Sequence, residues 1–291
     1  MTAVWDFPDF DDHEHVTMFR DRDSGLTAVI AVHSTHLGPG AGGVRFWHYG
    51  DKAAAITDAL RLSRGMSYKN AMAGLPMGGG KGVILAEPGA TKTPEMLAAF
   101  GRAIDRLGGA YVTAEDVGMT DADMVAIAGH TRHVSGLPVA SGAAGGDPGP
   151  LTALGVYLGI KAAIAHHLGT DSAGGVRVAI QGVGSVGGGV ARRLAAEGAR
   201  LTLADVDLRR ARALADELGA DLADSAAIMT VDADVFSPNA LGAILTAESI
   251  AELRAPIIAG GANNQLATAA DGQHVHDRGI TYAPDYVINA G

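Results

Sequence analysis

A glycine-rich turn in the second half of the chain constrains the fold more than any other feature. Residues 176–180 form an apolar run typical of a buried strand, and a helical pattern follows over residues 186–197. Between them lies a G-x-G-x-x-G sequence, made up of Gly182, Val183, Gly184, Ser185, Val186 and Gly187. Its glycines suit a tight turn, close approach of a pyrophosphate to the backbone, and close packing of helix on strand. The sequence therefore predicts a dinucleotide site on a Rossmann-type sheet, with the pyrophosphate at a helix N-terminus.

A carboxylate follows this turn at the distance expected for a ribose contact. Asp205 lies 23 residues after Gly182, at the end of the apolar run 201–204. A carboxylate there accepts hydrogen bonds from the adenosine ribose and repels a 2′-phosphate, so the sequence favours NAD over NADP. Arg209 and Arg210 argue in the other direction, because a nearby arginine can hold that phosphate. The alternative role for Asp205 is that of an acid at a helix N-terminus.

The length and the order of elements indicate two domains. A chain of 291 residues suggests two domains at about 150 residues each. Strands and helices alternate along the first half, which is typical of an α/β domain. A stretch rich in Gly, Ala and Pro at residues 136–150 is a predicted hinge. We expect a mixed-sheet α/β substrate domain at residues 1–137 and a Rossmann-type, doubly wound domain at residues 138–291.

Composition excludes several classes of function. Lys and Arg number 22 against 32 Asp and Glu, a net charge of −10, which disfavours nucleic acid and anionic membranes as partners. The chain has no run of about 18 apolar residues and no basic-then-apolar leader pattern. It has no cysteine, so disulfides and thiolate chemistry are excluded. Paired histidines such as His13 and His15 lack zinc-protease spacing, and we expect surface or capping roles, no metal, and a cytoplasmic location.

Two lysines and an acidic pair are candidates for catalysis. Lys69 and Lys81 stand twelve residues apart, with three glycines immediately before Lys81, and we interpret the segment between them as an apolar, Gly-rich turn. A partly desolvated lysine beside a second lysine has a lowered pKa and can act as a base near neutral pH. A solvated structural lysine is the alternative. Glu115 and Asp116 follow a predicted strand at residues 111–113, where ligand sites of α/β proteins lie.

Six sequence runs, in order along the chain, carry a family resemblance. The chain resembles the leucine/valine/phenylalanine branch of the glutamate dehydrogenase superfamily. The matching runs are residues 37–45, 69–81, 111–118, 182–187, 259–264 and 282–291. The resemblance implies an NAD-dependent enzyme that deaminates an apolar L-amino acid to the 2-oxo acid and ammonia, and that runs the reverse reductive amination. It also implies a homo-oligomer built through the first domain.

The resemblance assigns roles to three side chains of the first domain. It implies that Lys69 binds the substrate α-carboxylate as a cation. Lys81, as the neutral amine, activates the water that attacks the imine. Asp116 shuttles protons to and from the amino group and the carbinolamine.

Further positions receive binding roles from the same resemblance. The backbone N–H groups of Gly42 and Gly43 support the substrate carboxylate, and Ala41 lines the side-chain pocket. Its small size favours phenylalanine, whereas residues 67–70 and 114–117 favour leucine or valine, so the preferred side chain stays open. Thr152 and the pair Asn263 and Asn264 match family positions near the nicotinamide and the substrate amino group. Asn289 matches a family position that contacts the cofactor.

Members of the family usually continue for several dozen residues beyond the Asn-Ala-Gly sequence at residues 289–291, with a helix that lines the substrate pocket. The resemblance therefore also allows a second function. This alternative is a weakly active or inactive NAD- or amino-acid-binding homologue that lacks those helices.

Overall fold

The computed structural model describes residues 3–138 and 149–290. The chain forms two compact units, Met1–Gly146 (unit 1) and Asp147–Gly291 (unit 2). Each unit has its own β-sheet with helices packed against it, which is the two-domain α/β architecture expected from the sequence. Most of the predicted hinge lies outside the described residues, and the boundary after residue 137 stays a prediction.

Unit 1 is built on a five-stranded mixed sheet. Its strands are β1 (His15–Arg20), β2 (Thr27–Ser34), β3 (Gly40–Trp47), β4 (Gly78–Leu85) and β5 (Tyr111–Glu115), in the order β1-β2-β4-β3-β5. The β1–β2 and β2–β4 pairs are antiparallel, whereas β3 runs parallel to both β4 and β5. The carboxyl ends of β3, β4 and β5 therefore lie at one edge of the sheet.

Three helices cover the two faces of this sheet, namely α1 (Lys52–Met72), α2 (Pro94–Asp105) and α3 (Asp121–Ala128). Each helix is capped at its N-terminus by a side chain that accepts a hydrogen bond from a backbone N–H of the first turn. The capping residues are Asp51 for α1, Thr93 for α2 and Thr120 for α3. The buried apolar residues of α1 pack on one face of the sheet, and those of α2 and α3 pack on the other. Burial of these apolar faces is what holds the helices on the sheet.

Only the middle of the segment between the two candidate lysines forms the predicted turn. Helix α1 extends to Met72, a short turn follows at residues 73–77, and the three glycines before Lys81 already belong to strand β4, which begins at Gly78. Tertiary packing explains the difference, because a Cβ at Gly79 would lie 2.2 Å from the carbonyl oxygen of Ser63 on α1. The glycines let a strand pass directly beneath a helix, so here they belong to a strand rather than to a turn.

Unit 2 is a six-stranded, fully parallel sheet in the order β11-β10-β9-β6-β7-β8. The strands are β6 (Arg177–Gln181), β7 (Arg200–Ala204), β8 (Asp221–Leu222), β9 (Val235–Pro238), β10 (Ile257–Ala259) and β11 (Thr281–Ala283). The helices are α4 (Gly149–Leu168), α5 (Ser185–Ala196), α6 (Leu208–Leu218), α7 (Ala247–Glu252), α8 (Ala269–Asp277) and α9 (Asp285–Ile288). Strand order reverses between β9 and β6, as in doubly wound folds.

Helix α4 is apolar along most of its length. By length and composition it is the one described helix that could cross a membrane. In this fold, however, its residues Val156, Ile160 and Ile164 are fully buried in the core of unit 2, together with Ile180 of β6. We therefore assign α4 as a core helix.

Candidate active site and cofactor site

Lys81 and Asp116 meet at the carboxyl edge of the unit 1 sheet. Lys81 lies within β4 and is 5% exposed. Asp116 directly follows β5, and the Nζ of Lys81 donates a hydrogen bond to its Oδ2. The amine and the carboxylate are thus held together on a rigid sheet, which is the arrangement needed for proton transfer.

A third charged residue, Arg45, completes this cluster. Arg45 lies on β3, and its Nε donates to Asp116 Oδ2 at 3.2 Å. Its Nη1 donates to Asp58 Oδ2 of α1 at 2.8 Å, and the hydroxyl of Tyr49 donates to that same oxygen at 2.5 Å. Strand β3, the end of β5 and helix α1 therefore contribute to one hydrogen-bonded network around Lys81.

Burial and neighbouring charges shift the pKa values within this network. Burial lowers the pKa of Lys81 below its ordinary value, Asp116 opposes this change, and Arg45 adds to it. Burial would raise the pKa of Asp116, but the positive charges of Lys81 and Arg45 outweigh it, so the pKa is lowered. The cluster therefore favours an ionised Asp116 beside a lysine that loses its proton more easily than a solvated one.

The predicted partner of Lys81, Lys69, occupies a different kind of position. Lys69 lies in the last turn of α1 and is half-buried. Arg45, which the sequence did not single out, is a cation that lowers the pKa of Lys81, while the role of Lys69 stays a prediction. The two lysines nevertheless lie on elements that pack against each other, because α1, which carries Lys69, lies directly on β4, which carries Lys81, at Gly79.

The glycines of β3 surround the same cluster. The pairing of β3 with β4 includes Ala41–Gly79 and resumes at Val44–Gly82. A Cβ at Gly42 would lie 1.9 Å from the Gly80 carbonyl oxygen, and one at Gly43 would lie 2.8 Å from Cβ of Asp116. Only glycine fits at these two positions, and Gly43 in particular leaves room for the Asp116 side chain.

The predicted dinucleotide loop of unit 2 has the geometry that a pyrophosphate requires. Gly182 has φ +84°, and a Cβ at Gly187 would lie 1.9 Å from the Gly182 carbonyl oxygen, so these glycines serve the turn and the close packing of α5. A Cβ at Gly184 would meet nothing within 4 Å. Ser185 begins α5, so the N-terminus of this helix, which favours an anion, lies at the glycine loop. The loop therefore fits a dinucleotide.

Asp205 is more buried than a ribose-binding side chain alone requires. It is 6% exposed, and its carboxylate accepts hydrogen bonds from Val183 N (2.8 Å), Asp207 N (2.8 Å) and Arg210 Nη2 (2.9 Å). Burial would raise its pKa, but these three donors lower it below the ordinary value. Asp205 thus stays ionised and ties the glycine loop to the end of β7, in addition to any contact with a cofactor.

Two of the asparagines in the family-matching runs 259–264 and 282–291 lie together in unit 2. Asn289 is 1% exposed, and its Nδ2 donates to Gly261 O (3.1 Å) and Asn263 Oδ1 (2.8 Å). Its own Oδ1 is buried without a hydrogen-bond partner among the described residues, as are the side-chain oxygens of Gln181 and Gln265. Asn264 has φ +53° and donates its N–H to Asp285 Oδ2 at 2.9 Å. Thr152 lies apart from them in sequence, in the first turn of α4.

Several residues of these sites were not predicted from the sequence. Arg45 follows Gly43 by two positions on β3, so the alternation of strand side chains was a usable signal. Asp58 and Tyr49 reach the cluster only through the packing of α1, which no local pattern predicts.

Outside these sites, His13 is buried, contrary to the expectation of a surface or capping histidine. Its Nε2 lies 3.0 Å from Leu60 O and 3.1 Å from Ser63 Oγ of α1.

The fold and these two sites define a class: a two-domain α/β protein with a proton-transfer cluster on a mixed sheet and a dinucleotide loop on a parallel sheet. Comparison with known proteins gives the family. Residues 13–133 match the family model described as Glu/Leu/Phe/Val dehydrogenase, dimerisation domain, and residues 207–291 match that of Glutamate/Leucine/Phenylalanine/Valine dehydrogenase. The chain belongs to this family of amino-acid dehydrogenases.

Individual relatives agree with this assignment. Leucine dehydrogenase of Bacillus subtilis is 49% identical over 280 residues, which cover 96% of this chain and 77% of the relative. Valine dehydrogenase of Streptomyces albus is 47% identical, covering 96% of this chain and 77% of the relative. The crystal structure of L-tryptophan dehydrogenase from Nostoc punctiforme is 42% identical with a TM-score of 0.75, covering 96% of this chain and 79% of that one.

Proposed function

We propose that the protein catalyses the NAD-dependent oxidative deamination of an apolar L-amino acid to the 2-oxo acid and ammonia, and the reverse reductive amination. The observation that carries this proposal is the hydrogen bond between the buried Lys81 and the partly buried Asp116, which brings two groups able to transfer protons together on one sheet. Leucine and valine dehydrogenases at 46–49% identity support the same reaction.

The proposed chemistry assigns one proton-transfer task to each member of the pair. In the direction of deamination, neutral Lys81 accepts a proton from the water that attacks the substrate imine. Asp116 takes a proton from the substrate amino group and returns it to the nitrogen of the carbinolamine. As the C–N bond breaks and ammonia leaves, the carbinolamine hydroxyl gives its proton to the Asp116 carboxylate and becomes the carbonyl of the 2-oxo acid. The lowered pKa of Lys81 suits its role as a neutral base. The pKa of Asp116 is lowered by the charge of Lys81 and also by Arg45, whose charge does not depend on the protonation of Lys81.

Substrate binding is proposed for residues around this pair. Lys69, as a cation, binds the α-carboxylate, and the backbone N–H groups of Gly42 and Gly43 support it. Asn263 and Asn264 are proposed to contact the amino group. Ala41 is 7% exposed on β3, next to these glycines, and its small side chain is consistent with a bulky apolar substrate.

For the cofactor, we propose NAD rather than NADP. When bound, the pyridine nucleotide supplies the acceptor for the hydride that leaves the substrate Cα. The loop from Gly182 to Gly187 (Gly182, Val183, Gly184, Ser185, Val186 and Gly187) would hold its pyrophosphate, and the ionised Asp205 would disfavour a 2′-phosphate. Thr152 and Asn289 are proposed to contact the nicotinamide half, and the unpartnered Oδ1 of Asn289 supports such a contact.

The oligomeric state and the cellular location are also part of the proposal. We propose a cytoplasmic homo-oligomer that is built through unit 1, because residues 13–133 match a model described as a dimerisation domain. Sedimentation of the purified protein measures this directly, and a monomer at micromolar concentration contradicts the proposal.

The activity is tested by following NADH formation at alkaline pH with L-leucine, L-valine, L-phenylalanine, L-tryptophan and L-glutamate. We expect turnover with one or more of the apolar substrates and at least about tenfold lower kcat/KM with L-glutamate, because apolar pockets disfavour a charged side chain. NADH binding without turnover on any of the five would overturn the proposal in favour of a binding protein on the same fold.

A further inference from the structure

The proposed reaction needs a protonation state that a buried Lys–Asp pair does not favour by itself. The pair can exist as two ions or, after one proton hops from Lys81 to Asp116, as two neutral groups. The reaction instead starts from neutral Lys81 beside ionised Asp116, a state with a net negative charge in a buried place. An uncompensated buried charge is strongly disfavoured, so something must stabilise the carboxylate when the lysine gives up its proton.

Arg45 is placed to do so. Its Nε donates to the same oxygen of Asp116, Oδ2, that accepts the hydrogen bond from Lys81. The Arg45 side chain is 19% exposed and that of Asp116 is 21% exposed, so solvent screens this contact only in part. An arginine keeps its charge throughout the pH range of enzyme activity. Arg45 therefore remains a counter-ion to Asp116 whether or not Lys81 is protonated.

A second anchor fixes the guanidinium in this position. Nη1 of Arg45 donates to Asp58 of α1 at 2.8 Å, and the Tyr49 hydroxyl donates to the same oxygen of Asp58 at 2.5 Å. The carboxylates of Asp116 and Asp58, which lie on different elements, thus hold the Arg45 guanidinium through two of its nitrogens. The charge is stabilised further because Asp116 and Asp58 raise the pKa of Arg45, against the effect of its burial.

We propose that Arg45, anchored by Asp58 and Tyr49, is a positioning residue that keeps Asp116 ionised and aligned while Lys81 is neutral. This inference rests on the proposed function of the Lys81–Asp116 pair. Removing the charge of Arg45 would raise the affinity of both Lys81 and Asp116 for protons.

Three other titratable side chains of this network lie on the elements around Lys81, and their charge states follow from their surroundings. From α1, Asp58 raises the pKa of Lys81, and after β3, Tyr49 is neutral because burial raises its own pKa. From β5, Tyr111 is likewise neutral, since burial raises its pKa, and its hydroxyl donates to the Gly42 carbonyl oxygen at 2.8 Å. Within this network, Arg45 is a cation that lowers the pKa of Lys81.

The test compares Arg45→Gln and Arg45→Lys with the wild type in the pH profile of kcat/KM for deamination between about pH 7 and 11. The activity rises with pH as Lys81 loses its proton. In Arg45→Gln we expect this rise to move to higher pH by about one unit, equivalent to a roughly tenfold loss at a fixed pH below the rise. Arg45→Lys retains the charge, so its rise stays close to that of the wild type although kcat falls. Arg192→Gln, at an exposed pair with Glu217 in unit 2, is the matched control and leaves the profile unchanged.

Asp58→Asn provides a second test with the opposite sign. It removes a negative charge that raises the pKa of Lys81 while Arg45 keeps its hydrogen bond to Asp116, so the rise in activity moves to lower pH. NADH binding and the melting temperature, measured for every variant, establish that each is folded, and Asp58→Asn supplies the comparison if Arg45→Gln does not fold.

An unshifted profile in an active Arg45→Gln variant, or lowered activity without a pH shift in both Arg45→Gln and Asp58→Asn, would overturn the inference and leave the proposed function standing. No deamination by the wild type would overturn both.

Discussion

Both units of the protein concentrate glycine where a ligand is expected, but the glycines do different things. In unit 1 they lie inside β3 and β4, where a Cβ at Gly42 or Gly79 would overlap backbone atoms of a neighbouring element. In unit 2 they form a turn, where Gly182 has a positive φ and Gly184 opens onto free space. Glycine therefore serves close packing around a charged cluster in one unit and access for a ligand in the other.

The electrostatics of the two sites differ in the same way. The unit 1 site balances two cations, Lys81 and Arg45, against two carboxylates, and its proton affinities depend on all four groups. The unit 2 loop holds one carboxylate, Asp205, bonded to two backbone amides and an arginine. The first arrangement suits proton transfer and the second suits binding, which is why changes in the two regions should have separable effects.

Among the variants that compare the glycines of the two units, the largest effect is expected on stability, from a Cβ at a packed glycine of unit 1. Gly42→Ala places a methyl group 1.9 Å from the Gly80 carbonyl oxygen, so the strands must move apart. We expect a loss of unfolding free energy on the order of 3 kcal/mol, and a melting temperature lower by roughly 10 °C. Gly50→Ala, whose Cβ meets nothing within 4 Å, is the control. Equal melting temperatures for the two variants, measured by calorimetry, would break the comparison.

A smaller effect, on binding alone, is expected at the open glycine of unit 2. Gly184→Ala adds a methyl group where we propose that the pyrophosphate approaches, and no atom of the described residues other than its chain neighbours lies within 4 Å of it. We expect the Kd for NADH to rise about tenfold, a loss of about 1.4 kcal/mol, with the melting temperature unchanged within about 2 °C. Titration by NADH fluorescence measures this. Gly187→Ala, which meets the Gly182 carbonyl oxygen at 1.9 Å, should instead lower the melting temperature.

The smallest effect concerns the choice of cofactor. Asp205→Asn removes the negative charge that disfavours a 2′-phosphate, while Arg210 remains close by. We expect the ratio of the Kd for NADPH to that for NADH to fall about fivefold, a change of about 1 kcal/mol. Fluorescence titrations with both nucleotides give this ratio. A ratio that stays the same would mean that Asp205 acts only as a tie between the glycine loop and β7.

Local patterns predicted most of the fold and part of the sites. The strand–turn–helix around Gly182 was predictable because each element has its own periodicity and the motif fixes their order. The extent of β4 was not, because a strand of successive glycines has low intrinsic propensity and forms here through its packing against α1 and β3.

Long-range contacts account for what the sequence did not predict in the sites. Lys81 and Asp116 were found as candidates, but their partners were not. Arg45 stands 71 residues before Asp116, and Asp58 reaches Arg45 from a helix, so only the tertiary fold brings them together. The direction of the pKa shift of Lys81 was predicted, but the contribution of Arg45 to it was not.

The most direct test of the account is the kcat of Lys81→Met for oxidative deamination, measured at saturating amino acid and NAD. The substitution keeps an unbranched side chain in the buried position and removes the amine. The account predicts a fall in kcat of at least about 10³-fold, the contribution of a positioned base, while the Kd for NADH stays within about twofold of the wild type. A variant that binds NADH and retains kcat within about tenfold of the wild type would contradict the role of Lys81.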